Sequence, residues 1–296
     1  MASILVENRS RRRLGWLLST PALFAGLVVT VYPLFYLVAA SLSKSTLGLP
    51  FQAWVGGENF SQALGDQTFT ESVGRTVLVA VCGALLQVVL GLGVALLLKR
   101  LTVWQSVMRT LILLPMLTPP VMAAIVWKLF LDPNGGLLNT VLSGLGLISE
   151  PLSLLGSPTW SVFMIALADT WQWTPFVALI VFAGLMALPD EVYEAAQMEG
   201  ANAWQTFRYV TLPMVLPALC SVFMIKLIMS FKIFDLVYVL TAGGPGNSSL
   251  MTGYLIFRTA LREFNVGYAS AQTILFVFVV TLVTIPVTML SKRVKW

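Results

Sequence analysis

Histidine is absent from this sequence, cysteine occurs only twice, and charged residues make up just 10% of the 296 residues. Without histidine the chain lacks the commonest metal ligand and the commonest acid–base group, so we predict neither a catalytic nor a metal site. Both cysteines, Cys82 and Cys220, lie inside apolar stretches, which favours small core residues over a disulfide framework. A soluble domain carries roughly a quarter of its residues charged, so the low charge content excludes an ordinary soluble protein.

Apolar residues are abundant instead, at 57% of the chain, and they fall into long runs. A membrane-spanning helix needs about 20 mostly apolar residues. We therefore predict an all-α membrane protein with six transmembrane helices over residues 15–291, between a basic tail at 1–14 and a second tail at 292–296. The apolar part of residues 9–40 is too long for a signal peptide, so we interpret it as an uncleaved first span. The predicted spans are 15–42, 73–98, 107–131, 160–188, 213–240 and 268–291.

The distribution of lysine and arginine predicts the orientation of the spans, because cytoplasmic loops carry the excess of these residues. Eleven lie on one side of the predicted spans and five on the other, with Lys226 and Lys232 inside the fifth span. The more basic side is expected to be cytoplasmic, and six spans return both termini to it. It comprises Arg9, Arg11, Arg12, Arg13, Lys99, Arg100, Arg109, Arg208, Lys292, Arg293 and Lys295.

Prolines interrupt several of the predicted spans. Each removes a backbone donor and can kink a helix, and neighbouring helices in a bundle can satisfy the freed carbonyls. Kinked spans suit a protein that opens and closes a cavity, but membrane helices are richer in proline generally, so both interpretations stay open. These prolines are Pro21, Pro33, Pro115, Pro119, Pro120, Pro175 and Pro286.

The predicted cytoplasmic linker between spans four and five, residues 189–212, has the pattern of two short helices. Pro189 suits a first helical turn, and the two acidic residues directly after it favour a helix N-terminus. Gly200 suits the left-handed conformation that ends a helix, and Asn202 can cap the next one. By composition alone, this linker is a solvated amphipathic loop.

The spacing within this linker resembles the EAA motif of the membrane subunits of binding-protein-dependent ABC importers. The family pattern is Glu-Ala-Ala, three residues, Gly, nine residues, an aliphatic residue, any residue and Leu-Pro. The sequence matches each position without a gap from Glu194 to Pro213, with Val210 as the aliphatic residue. The resemblance implies a type I importer permease with six spans and a MetI-like core, similar to the carbohydrate-uptake permeases of the MalF/UgpA-like group. Further stretches similar to that group are 114–115, 231–246 and 264–271.

In this family the EAA segment, here residues 190–213, forms a coupling helix that docks on a cytoplasmic ATPase subunit and moves with it. The physical character agrees, because small side chains allow close docking, a charge fixes the register and a glycine lets the chain turn. The residues to which the resemblance gives this role are Glu194, Ala195, Ala196, Gly200, Leu212 and Pro213.

The chain has no Gly-x4-Gly-Lys-Ser/Thr loop and therefore no phosphate cradle of its own. The resemblance thus implies no cofactor in this chain, with ATP and Mg²⁺ bound by two separate ATPase subunits. It also implies a second related permease, an extracytoplasmic solute-binding protein, and a location among lipids in a bacterial or archaeal cell (inner) membrane. No nucleic acid partner is expected, because the basic residues flank apolar runs. The implied function is half of a translocation path for a sugar or sugar-like solute, without enzymatic activity.

Polar side chains inside the predicted spans need a partner or a function, because they are costly in hydrocarbon. Aromatic faces beside hydrogen-bonding groups suit a sugar ring, whose C–H face stacks and whose hydroxyls pair. Lys232 and Asp235 lie three residues apart, so they can instead pair with each other on one helix face. Lys226 has no partner that the sequence identifies. The candidates for the solute path are Asp169, Gln172, Trp173, Phe231, Lys232 and Asp235.

Two other functions stay open at this point. A secondary transporter driven by an ion gradient predicts inverted repeats and broken helices around intramembrane acids. No clear repeat is visible, and such a transporter would leave the EAA motif unexplained. A membrane-embedded enzyme has little support without histidine or a nucleophile–base pair. The sequence also leaves open which solute is carried and whether that solute is neutral or anionic.

Overall fold

The computed structural model describes residues 2–101 and 103–293, and its regular structure is almost entirely helical. The prediction of an all-α protein is therefore confirmed, apart from two strands of two residues each. In chain order the elements are α1 (Ala2–Ser41), β1 (Ser43–Lys44), β2 (Ala53–Trp54), α2 (Glu58–Gly65), α3 (Gln67–Arg100), α4 (Gln105–Leu117), α5 (Pro120–Phe130), α6 (Leu137–Gly144), α7 (Pro158–Met186), α8 (Asp190–Met198), α9 (Ala203–Thr206), a π-helical turn (Phe207–Thr211), α10 (Leu212–Ser230), α11 (Asp235–Leu240), α12 (Thr252–Leu261) and α13 (Val266–Arg293).

Within the described residues, five helices are long and apolar enough to cross a membrane, and the bent pair α4–α5 makes a sixth crossing if counted as one. The six predicted spans correspond to these crossings in order. The predicted tail at 1–14 is helical from Ala2, as the start of α1. Of the tail at 292–296, only 292–293 is described, as the end of α13, and 294–296 lie outside the described residues.

The third predicted span, 107–131, is not one continuous helix. α4 ends at Leu117 and α5 begins at Pro120, with a bend of 90° between them. The residue before a proline is driven to extended backbone, and Thr118 has a ψ of 126°. Neither Pro119 nor Pro120 has an N–H with which to continue α4, so the proline pair breaks this span completely. The other prolines remain inside helices, at Pro21, Pro33, Pro115, Pro175 and Pro286.

The fifth predicted span, 213–240, is also interrupted, so the prediction of a single helix is wrong. α10 ends at Ser230 and α11 begins at Asp235. Neither proline nor glycine occurs between them, and no local sequence signal marks this break. Buried, exposed and buried side chains follow one another at 231–233, an alternation that one face of an α-helix does not produce. Tertiary packing therefore ends α10 here.

Contacts divide the described chain into two units, of which the first comprises the residues up to Gly65 and Arg258–Leu275. In this unit a two-stranded antiparallel hairpin, β1–β2, follows α1. The start of α13 lies directly against β1, where the backbone N–H of Gly267 donates to the carbonyl of Ser45 at 2.9 Å. A Cβ on Gly267 would collide with the carbonyl of Ser43, so this approach requires glycine.

The second unit comprises Asp66–Phe257 and the remainder of α13, and its core lies where α3, α7 and α10 pack together. Gln87, Gly91 and Ala95 recur on α3 at the four-residue spacing of one helix face, and all three are buried. Small residues let membrane helices approach closely. A Cβ on Gly91 would lie 2.5 Å from Cγ1 of Val177. The backbone of α3 therefore packs directly against a side chain of α7.

Replacing Gly91 with alanine is expected to lower the free energy of unfolding by about 1–3 kcal/mol, because the added methyl group overpacks the α3–α7 contact. Gly93→Ala is the matched control, since Gly93 lies on the same helix with nothing within 4 Å of its Cβ position. Thermal unfolding of both variants in the same detergent measures the difference. Equal midpoints for the two variants would contradict the packing assigned to Gly91.

Candidate functional site

The predicted coupling segment begins with α8, whose ends follow from local sequence. α8 starts directly after Pro189, which has a φ of −64° and is the N-terminal cap residue. Asp190 and Glu191 occupy the first turn, where carboxylates interact favourably with the helix dipole. α8 ends at Met198, and Gly200 then adopts a φ of +77°, the left-handed conformation predicted for it.

Asn202 caps the helix that follows, as predicted. Its Oδ1 accepts a hydrogen bond from the backbone N–H of Gln205 at 3.0 Å, and Gln205 Oε1 accepts one from the backbone N–H of Asn202 at 2.9 Å. This second helix is not short, however, because α9 continues through the π-helical turn into α10. Pro213 accounts for the wider turn, since its missing N–H leaves the carbonyl of Tyr209 without its α-helical donor. The segment therefore leads directly into the fifth span.

The motif residues of α8 are consecutive, and the surface around Glu194, Ala195 and Ala196 is here called the α8 face. Glu194 and Ala195 are exposed, Ala196 is partly buried, and no residue of α8 is fully buried. This surface combines small residues and one carboxylate, and the same segment exposes large apolar side chains. That composition is typical of a protein-docking surface. The large exposed apolar side chains of the same segment are Met198 (90%), Tyr209 (75%) and Trp204 (68%).

Leu212 and Pro213 share the sequence motif but lie apart from the α8 face, at the start of α10. Leu212 packs against the core of α3, α7 and α10, whereas Pro213 is exposed. Leu212 therefore contributes packing and Pro213 contributes helix geometry, and the coupling role that the resemblance gives these two residues stays a prediction.

A cavity of about 260 Å³ lies in the second unit, between the start of α5, the middle of α7 and the break between α10 and α11. Interrupted membrane helices are typical of solute sites, because their free ends and neighbouring side chains can meet a ligand. Five of the six residues predicted for a solute path line this cavity. They are Asp169, Gln172, Trp173, Lys232 and Asp235.

Phe231 is the exception among the predicted residues. It is buried in an apolar cluster with Ala80 and Ala84 of α3 and Leu227 of α10. Its ring centroid lies 6.2 Å from that of Phe276 on α13, in an edge-to-face arrangement. Phe231 therefore packs helices together and is not part of the cavity lining.

Three polar side chains from three different helices meet beside the cavity. Lys226 Nζ on α10 lies 3.1 Å from Asp169 Oδ2 on α7, and Gln87 Nε2 on α3 donates to the same oxygen at 2.7 Å. Lys226 is 1% exposed and Asp169 8%, so each charge depends on the other in a medium that does not solvate ions. The ring of Trp173 lies 5.3 Å from Lys226 Nζ, within cation–π range. Lys226, for which the sequence identified no partner, is therefore paired with Asp169.

Gln172 connects the cavity to the break in the third span. Its Nε2 donates to the carbonyl of Thr118 at 3.0 Å, where α4 gives way to α5. A carbonyl at a helix break needs such a donor inside a membrane. Gln172 Oε1 accepts no hydrogen bond from residues 2–101 or 103–293, so this cavity-lining amide keeps an acceptor for a ligand.

Lys232 lies in the break between α10 and α11, and Asp235 begins α11, so the alternative that these two residues pair on one helix face does not hold. In the described part of the chain, neither takes part in an ion pair. Both line the cavity, and Lys232 is exposed. The cavity therefore presents one positive and one negative group that are not committed to each other.

Phe234 is a lining residue that the sequence analysis missed, as are Pro120 and Met229. It belongs to a cluster of four rings with centroids 5.1–6.2 Å apart, which fixes its position between α11 and α12. In a continuous helix Phe231 and Phe234 would share one face at a spacing of three residues, so only the break between α10 and α11 places Phe234 in the cavity lining and Phe231 in the core. The other three rings are Tyr238, Tyr254 and Phe257.

Comparison with known proteins identifies the family of this chain. Residues 87–296 match the family described as "Binding-protein-dependent transport system inner membrane component". The chain belongs to this family. The α8 face and all the cavity-lining residues of this permease fall inside the matched range.

Named relatives cover nearly the whole permease. It is 34% identical over 277 residues to the trehalose/maltose transport system permease protein MalF of Thermococcus litoralis, which covers 93% of each chain. It is 31% identical over 270 residues to the trehalose transport system permease protein SugA of Mycobacterium tuberculosis, which covers 91% of this chain and 85% of that one. The permease therefore resembles sugar-transport permeases over more than nine-tenths of its length.

Solved structures show the same fold. A bacterial ABC transporter involved in the import of the acidic polysaccharide alginate matches with a TM-score of 0.87 at 21% identity, covering 99% of both chains. A bacterial alginate ABC transporter in complex with an alginate pentasaccharide-bound periplasmic protein matches with a TM-score of 0.85 at 21% identity, covering 97% of both. The predicted importer-permease fold is confirmed.

Lys226→Met is expected to destabilise the permease by about 3–5 kcal/mol, because it leaves Asp169 as an unpaired buried charge. Combining it with Asp169→Asn is expected to recover most of that loss, since an asparagine oxygen still accepts the hydrogen bond from Gln87. Size-exclusion chromatography after graded heating ranks the variants. Lys232→Met controls for the loss of a lysine, and a Lys226→Met variant as stable as this control would refute the buried pair.

Proposed function

We propose that the permease is the non-catalytic membrane subunit of an ATP-driven importer and forms half of the translocation path for a sugar or sugar-like solute. The observation that carries this proposal is the exposed α8 face. A helix with small side chains and one carboxylate suits a cleft in another protein, where the two surfaces must approach closely. The continuous helix from α9 into α10 connects this surface to the membrane bundle.

ATP hydrolysis is assigned to two separate ATPase subunits. They bind ATP and Mg²⁺, because this chain has no phosphate-binding Gly-x4-Gly-Lys-Ser/Thr loop. One ATPase docks on the α8 face, and the other docks on a second, related permease that supplies the other half of the path. In this arrangement Glu194 fixes the register of the docked subunit, while Ala195 and Ala196 let it approach the backbone.

The proposed location is the cell (inner) membrane of a bacterium or archaeon, with α8 and both chain ends in the cytoplasm. The excess of lysine and arginine on that side supports this orientation, with eleven of the 18 such residues. Lipid and the partner permease cover the apolar windows of α1 and α13, of which 0% and 6% are buried within this chain.

The cavity chemistry supports a sugar as the solute. Trp173 and Phe234 offer aromatic faces for the C–H face of a sugar ring. Gln172, Asp169 and Asp235 offer oxygen acceptors for its hydroxyl groups. The relatives named for trehalose and maltose transport point to the same class. A solute-binding protein delivers the sugar to the outer side, as in the alginate transporter complex with its periplasmic protein.

Transport then follows alternating access between two states of the bundle. Closure of the ATPases moves the α8 faces of the two permeases together and opens the path outward to receive the solute. The broken helices also fit an ion-coupled secondary transporter, the alternative function, since such proteins place breaks near membrane acids. That alternative leaves the α8 face without a role and does not fit the family of the chain.

Glu194→Lys is expected to abolish ATP-driven uptake, because it reverses the charge at the centre of the proposed docking surface. The measurement has two parts: copurification of the ATPase with the permease, and solute uptake by membrane vesicles. Glu199→Lys is the matched control, since it makes the same charge change at an exposed residue just beyond α8, at a position where the motif specifies no residue. Unaltered uptake and ATPase binding in Glu194→Lys would mean that α8 is not the coupling helix.

Trp173→Ala is expected to reduce uptake about tenfold or more, because it removes an aromatic face from the cavity. The control is Trp160→Ala on the same helix, where Trp160 is exposed in the first turn and does not line the cavity. Initial rates of uptake at several concentrations of a trehalose probe, corrected for the amount of folded permease, separate a higher KM from lost protein. If both alanine variants transport equally well, Trp173 lies outside the solute path.

A further inference from the structure

Lys99 joins the coupling helix to two membrane helices. It lies in the last turn of α3, and its Nζ is 4.2 Å from the centroid of the Tyr193 ring on α8. The same Nζ donates a hydrogen bond to the carbonyl of Leu185 on α7 at 3.3 Å. One side chain therefore contacts α7 and α8 from the end of α3.

Both contacts of Lys99 use its positive charge. The carbonyl of Leu185 belongs to the last turn of α7, where helical carbonyls lack an N–H partner and a cation is favoured. The Tyr193 contact is a cation–π interaction, in which the ammonium faces the negative side of the ring. Methionine, an apolar side chain of similar length, makes neither contact.

Tyr193 is one of few side chains that hold α8 in place. Only Val192, Tyr193 and Ala196 of this helix are partly buried, and the remaining side chains are exposed. The hydroxyl of Tyr193 is buried but has no hydrogen-bond partner in the described part of the chain. The contact with α3 is therefore made by the ring of Tyr193 and does not depend on its hydroxyl.

Of the three helices that Lys99 contacts or belongs to, α3 and α7 also carry polar groups that meet beside the cavity. Gln87 of α3 and Asp169 of α7 share a hydrogen bond, and Gly91 packs the two helices directly against each other. A displacement of α8 moves Lys99 at one end of this helix pair, and the α3–α7 pair transmits the movement to the cavity. This second connection is independent of the covalent one through α9 and α10.

We propose that Lys99 and Tyr193 are positioning residues that transmit the movement of α8 to the α3–α7 pair and thereby couple the ATPase to the cavity. This inference rests on the proposed function, because it assumes that an ATPase moves α8. It assigns a role in coupling to a lysine outside the EAA motif and to a tyrosine whose identity that motif does not specify.

The test uses the assembled importer in proteoliposomes, with a readout that needs no knowledge of the solute. In a background without the native thiols of Cys82 and Cys220, Leu236→Cys introduces a single thiol into the cavity lining. The labelling rate of this thiol by a membrane-impermeant maleimide is measured with and without ATP plus vanadate. The ATP hydrolysis rate of the same preparation is measured in parallel.

Lys99→Met and Tyr193→Leu are each expected to weaken the ATP-dependent change in labelling by about three- to tenfold, while the ATPase stays bound and hydrolyses ATP. Lys99→Arg and Tyr193→Phe are expected to retain the change, because they keep the charge and the ring. Combining Lys99→Met with Tyr193→Leu is expected to add little to either loss, since both remove one contact. Arg100→Met is the matched control, the loss of an exposed charge one residue further along.

The outcomes distinguish a failure of the proposed function from a failure of the role assigned to Lys99 and Tyr193. If the unsubstituted importer shows no bound ATPase and no ATP-dependent labelling, the proposed function itself fails. If it responds normally and Lys99→Met responds as well as Arg100→Met, this inference is overturned. If Lys99→Met does not assemble, Tyr193→Leu against Tyr193→Phe gives the same decision, because neither touches the Leu185 carbonyl.

Discussion

Hydrocarbon neither solvates charges nor hydrogen-bonds to peptide groups, and this constraint determines which polar groups of the permease must meet. Asp169 and Lys226 are its clearest consequence, because neither charge is tolerable there alone. Their pairing joins α7 to α10, and the hydrogen bond from Gln87 adds α3. The same interaction sets one wall of the cavity, since Asp169 lines it while Lys226 lies behind.

The constraint also explains how a membrane protein can contain broken helices. At the break between α4 and α5, Gln172 supplies a donor to the carbonyl of Thr118. Near the end of α11, Lys128 Nζ of α5 donates to the carbonyl of Val239 at 3.0 Å. Side chains thus replace helical hydrogen bonds where the backbone departs from a helix. The cavity lies between these interrupted segments, because a continuous helix would fill the space with its own backbone and side chains.

Small residues allow another surface to approach the backbone closely at two places, one inside the helix bundle and one on the exposed surface of α8. Gly91 lets the backbone of α3 contact α7 inside the bundle, where a methyl group would overpack the interface. Ala195 leaves the backbone of α8 accessible on an exposed surface. Lys99 lies between these two regions, in contact with α7 and α8. The permease therefore combines a rigid helix pair in the membrane with an exposed helix that few side chains restrain.

The sequence by itself determined the number and order of the apolar crossings, the start of α8, the left-handed Gly200 and the capping of α9 by Asn202, because these depend on apolar length and on interactions between residues close in the chain. Only the tertiary structure decided that Lys226 pairs with Asp169, and that Phe234 lines the cavity while Phe231 packs in the core. The physical reason is that helix packing determines which residues far apart in sequence become partners. The break after Ser230 likewise contains no proline or glycine that would mark it in the sequence.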